Sequence, residues 1–250
     1  MFKILKRAFK KNKLLPHEIG EVYNLKKFIK EFKIDSIYDV GANNGQYAQM
    51  LRKKVNFQGN IFSFEPFSKI YEELKKNANN DKDWHTFNYA ISNSSGIKKL
   101  NVAQNDQMNS FQKSSIEETD VLEDINTQYE FENVETKTLS EAIIDISSNA
   151  NCKNILLKLD TQGHDLTILK SFDNLKFFSG IQCEIAFKSI YLDAPKYYET
   201  IQFLEKSGFE LSAIFPNNSG HFPYLIEQDI LVTNKAVSYT HLRAHETLLY

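Results

Sequence analysis

One predicted strand near the N-terminus leads into residues whose types suit the binding of a small molecule. An acid, a glycine-bounded turn and the start of a predicted helix follow one another, in the order Asp39, Gly41, Ala42, Asn43, Gly45 and Tyr47. Such a turn presents backbone N–H groups and the positive end of a helix dipole to a ligand. Its G-x-x-x-G spacing differs from the G-x-G-x-x-G spacing of dinucleotide enzymes, and it lacks the G-K-[ST] of a P-loop. The alternative is a tight turn that binds no ligand.

A second acid, Glu65, ends the next predicted strand, Ile61–Phe64, and Pro66 follows it. An acid in this position is placed to accept hydrogen bonds from the hydroxyls of a ribose. Proline ends the strand because it has no N–H group to donate. The glycine turn and this acid together therefore predict a site for a ligand that contains a ribose.

Two further acids lie on predicted strands later in the chain. Asp160 ends the apolar run Asn154–Asp160, and open α/β sheets bind ligands at the carboxyl ends of their strands; its alternative role is to cap the following helix. Glu184 interrupts the apolar strand Ser179–Ala186. Because a buried carboxylate is costly unless it is paired, we expect Glu184 to face a cleft or a cation. His164 has the ring type whose unperturbed pKa, about 6.5, suits a base near neutral pH.

Three ordered segments resemble one known family. The segments D-V-G-A-N-N-G at 39–45 and F-E-P at 64–66 resemble the S-adenosylmethionine (AdoMet) site of class I methyltransferases, and they look most like the FkbM family of O-methyltransferases. The third, K-L-D-T-Q-G-H-D at 158–165, is similar to the family's K-[IL]-D-x-E-G-x-E, with Gln162 in place of a glutamate. The segment from Asn88 to Ser92 also resembles the family's N-x-A-[IVL]-S/G. The resemblance covers about Asp35 to Asn234.

The resemblance implies an α/β fold of the Rossmann-like class I methyltransferase type. This fold has a seven-stranded, mostly parallel sheet with helices on both faces and an antiparallel terminal hairpin. We expect the third strand at 84–91, a hairpin extension at 91–103, and substrate contacts at 106–112 within a long polar segment. The predicted domains are an N-terminal helical region at 1–33 and an AdoMet-binding methyltransferase domain at 34–234. Residues 235–250 resemble a translated sequencing adaptor, and we predict a non-native tail there.

The same resemblance implies roles for individual residues. Asp39, Gly41, Asn43 and Gly45 are expected to surround the methionine end of AdoMet, with Glu65 on the ribose. The other expected cofactor-binding residues are Ala42, Tyr47, Pro66, Asn88 and Ala90, of which Asn88 and Ala90 lie beside the adenine. The reaction implied is methyl transfer to a hydroxyl of a sugar, a glycan or a small metabolite. Such a hydroxyl needs a base, for which Asp160 is the first candidate, followed by Glu184 and His164. Asp229 is expected near the sheet edge in a structural role.

Two other functions remain open. A cofactor-binding or scaffold protein without catalysis is favoured only by Gln162, where the family has glutamate. An oxidoreductase that uses NAD also has a glycine-rich turn and an acid for the ribose, but the dinucleotide spacing is absent. A turnover assay distinguishes the scaffold protein from a methyltransferase. Titration with AdoMet and with NAD distinguishes the oxidoreductase.

Composition excludes some classes of partner. The formal net charge of the 250-residue chain is −2, which argues against binding nucleic acid by bulk electrostatics. Cys152 and Cys183 have no metal-site spacing, and His241 and His245 lie in the adaptor-like tail without an H-E-x-x-H pattern. We therefore expect no metal. No apolar run has the length of a membrane span and no signal peptide is visible, so the predicted location is the cytoplasm.

The first fifteen residues are basic and amphipathic. Their lysines and arginine alternate with apolar residues that would fall on one face of a helix. Such a segment indicates either weak contact with an anionic membrane surface or a solvated leading helix. The sequence does not determine the oligomeric state.

Overall fold

The computed structural model describes residues 18–102, 130–147, 152–188, 195–216 and 225–237. The predicted contacts at 106–112, the basic segment at 1–15 and both tail histidines lie outside these residues. In the described part of the chain, no helix combines the length and the apolar character that crossing a membrane requires. The division at 1–33, 34–234 and 235–250 stays a prediction.

The described strands form two sheets. They are β1 (Ser36–Val40), β2 (Asn60–Phe64), β3 (Trp84–Phe87), β4 (Ala90–Ile91), β5 (Gly96–Val102), β6 (Glu130–Lys137), β7 (Ile155–Leu159), β8 (Gly180–Ala186), β9 (Phe209–Pro216) and β10 (Glu227–Asn234). The main sheet has the order β3-β2-β1-β7-β8-β10-β9, and the small sheet has the order β4-β6-β5. In the main sheet, the neighbouring strands β3, β2, β1, β7 and β8 pair in parallel. β10 is antiparallel to both β8 and β9. The predicted sheet with its terminal hairpin is confirmed.

Helices cover both faces of the main sheet, as predicted. They are α1 (Glu18–Glu31), α2 (Gln46–Met50), α3 (Ser68–Ala78), α4 (Leu139–Ser147), α5 (Asp165–Lys170) and α6 (Tyr197–Lys206), and α2 continues as a π-helical turn, Leu51–Val55. Successive strand residues point to opposite faces. Tyr38 therefore packs in the core with α4, α5 and α6, while Ile37 packs in the other core with α1, α2 and α3.

The third predicted strand is wrong in its second half. β3 ends at Phe87, and Ala90–Ile91 pairs in parallel with β6 of the small sheet. The chain leaves the main sheet there because the Asn88 amide donates to the carbonyl oxygens of Glu65 and Pro66, at 3.0 and 3.1 Å.

The predicted hairpin at 91–103 is also wrong. β5 pairs with β6 in an antiparallel ladder, and β6 separates β5 from β4. The Thr136 hydroxyl donates to the carbonyls of Ser94 and Gly96, which fixes the turn before β5 against β6. Sequence reasoning paired neighbours along the chain, whereas the partner residues of β5 lie 28 to 40 positions later.

One residue of β1 and one of β7 are polar on a face that is otherwise apolar. Asp39 and Lys158 are register partners, and by alternation they share the face of Ile37 and Leu156. That face meets α1 and α2. The carboxyl ends of β1 and β7 therefore bring charged side chains together under the loop after β1.

Candidate functional site

Backbone hydrogen bonds tie the loop after β1 to the neighbouring strands on both sides. The N–H groups of Gly41 and Ala42 both donate to the Phe64 carbonyl at 3.0 Å, and the Asp160 N–H donates to the Val40 carbonyl at 3.0 Å. Gly41 has φ +79°, and a Cβ atom there would lie 2.0 Å from the Asp160 carbonyl oxygen. Only glycine fits this position, so the loop lies directly against the end of β7.

The tip of the same loop has two more residues in the left-handed region. Asn43 has φ 49° and Gly45 has φ 89°, and the Asn43 side-chain oxygen accepts the Asn44 N–H at 2.7 Å. Asn is among the few non-glycine residues that tolerate this conformation. The Asn44 Oδ1 atom is buried and has no hydrogen-bond partner within the described ranges. A buried acceptor of this kind calls for a donor from a ligand or a water.

Glu65 braces this loop from the next strand. Its Oε2 accepts the Asn43 N–H and its Oε1 accepts the Phe67 N–H, both at 2.9 Å. The side chain is buried. Burial raises the pKa of Glu65 to about 7, although the two backbone hydrogen bonds oppose that rise. Each oxygen keeps a free lone pair, because a carboxylate has about four acceptor sites. The ribose role predicted for Glu65 is compatible with this geometry and stays a prediction.

Asp39 is buried beneath the loop. The Ser63 hydroxyl donates to its Oδ2 at 3.0 Å, and the Trp84 indole N–H donates to that hydroxyl oxygen at 2.9 Å. Burial raises the pKa of Asp39 to about 7, while the Ser63 hydrogen bond and the charge of Lys158 lower it. The ionised form is therefore unfavourable for folding, which indicates that Asp39 serves a purpose other than stability.

Lys158 lies beside Asp39 and was missed by sequence reasoning. Its ammonium is 3.2 Å from Asp229 Oδ1, 3.2 Å from the Leu159 carbonyl oxygen and 3.6 Å from Asp160 Oδ2. Burial opposes its charge, but Asp229 and Asp160 raise the pKa of Lys158 well above its usual value. The available signal was a lysine within the apolar strand at 155–159, since buried charges are paired. Asp229, expected to be structural, is its partner.

Tyr47 takes part in an internal network. Its hydroxyl donates to Gln182 Oε1 at 2.8 Å, and the Gln182 amide donates to Glu21 Oε1 at 2.8 Å. The chain of hydrogen bonds joins α2, β8 and α1, and Gln182 is itself the register partner of Lys158. Burial raises the pKa of Tyr47 well above its usual value. The predicted contact between Tyr47 and a cofactor stays a prediction.

Asp160 lies at the open edge with 40% of its side chain exposed. One carboxylate oxygen faces Lys158 and the other accepts the Gln162 amide at 3.0 Å. The alternative role as a helix cap is not seen, because α5 begins after His164 and Asp165 accepts the Thr161 N–H. The Asp160 carboxyl group is thus accessible and fixed in position by these two contacts.

Glu184 and Glu227 form a pair of carboxyl groups next to Asp160. Glu184 lies opposite Asp229 in the ladder between β8 and β10, which places Glu227 one step further toward the open edge. The two side chains hydrogen-bond, and burial together with the charge of Asp160 raises the pKa of Glu227 to about 7. The same causes raise the pKa of Glu184 well above its usual value. A hydrogen bond between two carboxyl groups requires one shared proton. Sequence reasoning identified Glu184 and missed Glu227.

His164 connects the loop after β7 to the small sheet. Its Nε2 lies 3.2 Å from the Ser92 hydroxyl oxygen, which also accepts the Lys98 ammonium at 2.9 Å. Burial and the charge of Lys98 lower the pKa of His164 to about 4. The ring is therefore neutral at physiological pH and is engaged by Ser92. Its predicted catalytic role is not tested by this contact.

The residues predicted beside the adenine lie on the exit from β3. Asn88 holds the Glu65–Pro66 backbone through its amide, while Ala90 is buried in a small cluster with Phe67 and Leu100. These contacts place both residues on the Glu65 side of the loop. Contact with an adenine stays a prediction. In the described ranges, no three His, Cys, Asp or Glu side chains are grouped so as to hold a metal ion.

The burial of Asp39 leads to a prediction about stability. Because its pKa rises from 3.8 to about 7 on folding, the folded state loses relative stability as pH increases between these values. Asp39→Asn removes that titration. We expect its free energy of unfolding, relative to the unchanged protein, to increase by about 2 kcal/mol between pH 5 and pH 8. Urea denaturation at both pH values measures this, and an equal difference at both would contradict it.

Comparison with known proteins supports one family. The family model of the methyltransferase FkbM domain matches residues 39–211, more than half of the chain. A search of curated protein sequences found no match.

Several solved structures are similar to this chain at low identity. The METTL16 MTase domain is 9% identical, with a TM-score of 0.51, and the match covers 88% of this chain and 68% of that one. The methyltransferase FkbM from Methylobacillus flagellatus KT is 10% identical, with a TM-score of 0.47 and coverages of 79% and 43%. Fibrillarin from Aeropyrum pernix, in complex with natively bound S-adenosyl-L-methionine, is 12% identical, with a TM-score of 0.46 and coverages of 80% and 66%. The chain thus spans 66% of that fibrillarin and less than half of the Methylobacillus protein.

Proposed function

Because the chain belongs to the FkbM methyltransferase family, we propose that it transfers a methyl group from AdoMet to a hydroxyl oxygen of a sugar, a glycan or a small metabolite. One observation supports this most strongly. The loop that fits the cofactor touches the loop that presents Asp160, since the Asp160 carbonyl fills the space beside Gly41. Cofactor and acceptor would therefore meet at one edge of the sheet, which a direct transfer requires.

The residues after β1 suit AdoMet. The absence of a Cβ atom at Gly41 lets the loop approach β7, and the buried Asn44 Oδ1 offers an acceptor to a polar ligand group. Glu65 has lone pairs left for ribose hydroxyls after it has fixed the loop. These residues, with Asp39 below them, would hold the cofactor. AdoMet supplies a methyl group on a sulfonium sulfur.

Asp160 and the pair of Glu184 and Glu227, at the carboxyl edge of the sheet, differ in what they can do for the acceptor. An alkyl hydroxyl becomes a good nucleophile only as its proton leaves. Asp160 is accessible and fixed by two donors, so it accepts the hydroxyl hydrogen bond and orients the oxygen. Asp160 also receives the proton, because the hydrogen bond between Glu184 and Glu227 already holds a proton on Glu184. A phosphate beside the reacting hydroxyl would be repelled by these acids, so we propose an acceptor that is uncharged there and not a nucleic acid.

Replacement of Asp160 tests this assignment. We expect Asp160→Asn to reduce methyl transfer about 100-fold or more, because a positioned proton acceptor contributes about that much, while AdoMet affinity changes less than about threefold. The assay follows labelled methyl from AdoMet into a pool of glycans by mass spectrometry, and calorimetry gives the affinity. Asp173→Asn, at an exposed acid after α5, is the matched control. Full transfer by Asp160→Asn would remove Asp160 from the mechanism.

The same assay separates the alternatives. A scaffold protein would bind AdoMet and transfer no methyl to any hydroxyl in the pool. Gln162, the only support for that alternative, makes an intact hydrogen bond to Asp160. An NAD-linked enzyme would bind NAD in preference to AdoMet in a competitive titration.

A further inference from the structure

Lys158 is the one lysine or arginine that is buried among the residues whose burial the structure describes. Only 4% of its side chain is exposed, and its ammonium contacts Asp229 at 3.2 Å and Asp160 at 3.6 Å. A fully buried ammonium is costly, and a buried ion pair is often no more stabilising than apolar residues of the same size. Stability alone therefore gives no reason for a lysine at this position.

The position of Lys158 connects the two halves of the site. It lies in register with Asp39 on one side and with Gln182 on the other, and adjacent strands are about 4.8 Å apart. Asp39 lies beneath the cofactor loop, and Asp160 lies at the acceptor edge. The charge of Lys158 thus acts on a carboxyl group of each half, and Asp229 holds the ammonium from β10.

We propose that Lys158 is a positioning residue for both halves of the site: its ammonium orients the Asp160 carboxylate at the acceptor edge and keeps Asp39 charged beneath the cofactor loop. The part that concerns Asp160 rests on the proposed function. The part that concerns Asp39 requires only that the chain binds AdoMet.

Electrostatics supports this role. The titratable groups that interact with Lys158 come from every element around it, and they are Asp39, Tyr47, Asp160, Asp165, Glu227 and Asp229, with Cys183 of β8 on the other face. Burial pushes Asp39 toward its neutral form, and the charge of Lys158 opposes this. An opposite charge within about 4 to 6 Å shifts a carboxyl pKa by about 1 to 3. Without the ammonium, the buried acids would repel one another and take up protons.

The main test variant removes both members of the buried ion pair. Lys158→Met alone would leave the buried Asp229 without its counter-ion. The main variant is therefore Lys158→Met with Asp229→Asn, which neutralises both partners. Lys158→Gln is the second variant, since its amide can still donate to Asp229. Asp229→Asn alone keeps the ammonium beside Asp39 and Asp160. The matched control, Arg52→Met with Asp81→Asn, removes a 2.7 Å ion pair at the amino-terminal ends of β2 and β3.

The readout is AdoMet affinity against pH, measured by calorimetry from pH 5.5 to 9. Protonation of the ligand itself is common to all variants and cancels in the comparison. In the unchanged protein we expect affinity to fall as pH decreases through about 7, where both Asp39 and Glu65 take up protons. Of these two acids, Asp39 is the one whose pKa Lys158 lowers. The double variant and Lys158→Gln should move that midpoint upward by about 1 pH unit or more, which is about a fivefold weaker affinity at pH 7. Asp229→Asn and the Arg52 control should not move it upward. Unchanged midpoints in both folded Lys158 variants would overturn the proposal.

Methyl transfer then tests the half that involves Asp160. At a pH and an AdoMet concentration that saturate each variant, the double variant should transfer methyl at least about tenfold more slowly, whereas the Arg52 control should not. If the unchanged protein binds AdoMet but methylates no hydroxyl, the proposed function fails while a shifted midpoint still supports the role of Lys158 toward Asp39. If the unchanged protein is active and the double variant is equally active, the role toward Asp160 is overturned by itself.

Discussion

Replacing Glu65 with alanine is expected to weaken AdoMet binding about 100-fold. The carboxylate fixes the N–H groups of Asn43 and Phe67 at 2.9 Å, and its remaining lone pairs are assigned to the ribose. Hydrogen bonds to a charged group contribute about 1.5 to 3 kcal/mol each. The ribose contacts and the lost order of the loop therefore account for about 2.7 kcal/mol, which corresponds to 100-fold in affinity.

Two further variants make this result specific. Glu65→Gln has the same shape and keeps one acceptor oxygen. We therefore expect its AdoMet affinity to lie between the affinities of the unchanged protein and of Glu65→Ala. Glu73→Ala, on the exposed side of α3, should bind AdoMet normally. Calorimetry measures all three affinities at pH 8, where Glu65 is ionised. Affinity within about threefold of normal in a folded Glu65→Ala protein would contradict the assignment.

Gly41→Ala is expected to have the largest effect on stability. The added Cβ atom would lie 2.0 Å from the Asp160 carbonyl oxygen and 2.9 Å from its carbonyl carbon, and both are backbone atoms that cannot turn aside. The φ angle of +79° adds about 1 kcal/mol of strain for any residue with a Cβ atom. We expect the free energy of unfolding to fall by about 3 kcal/mol or more.

Gly20→Ala provides the matched control for this change. Gly20 lies within α1, and nothing lies within 4 Å of a Cβ atom built there. Alanine at a helix interior should stabilise the protein by about 0.5 to 1 kcal/mol. Urea denaturation of both variants gives the two free energies. If Gly41→Ala has the same free energy of unfolding as the unchanged protein, the loop does not lie against β7 as described. The site then loses its geometric basis.

The sequence predicted those parts of the fold that local patterns determine. Strand β1 and its glycine turn, the strand before Glu65, and the apolar run of β7 each have a pattern that the structure keeps. The small sheet was not predictable in this way, since Ala90–Ile91 pairs with a strand near Thr136. Pairing over such a separation depends on tertiary contacts rather than on the local pattern.

The site was predictable where a residue type departs from its surroundings. Asp160 was identified because it ends an apolar strand, and Glu184 because it interrupts one, whereas Glu227 and Asp229 lie in a strand whose first half is polar. Lys158 was treated only as part of a motif. Its role depends on register partners from β1 and β8, and register is a property of the folded sheet.

A crystal structure of the chain with S-adenosylhomocysteine tests the central claim most directly. The account predicts that the ribose hydroxyls lie within hydrogen-bond distance of Glu65, that the homocysteine part lies along Gly41 to Gly45, and that the sulfur faces Asp160. A nucleoside bound at another edge of the sheet, with Glu65 and the loop after β1 free of it, would contradict the account.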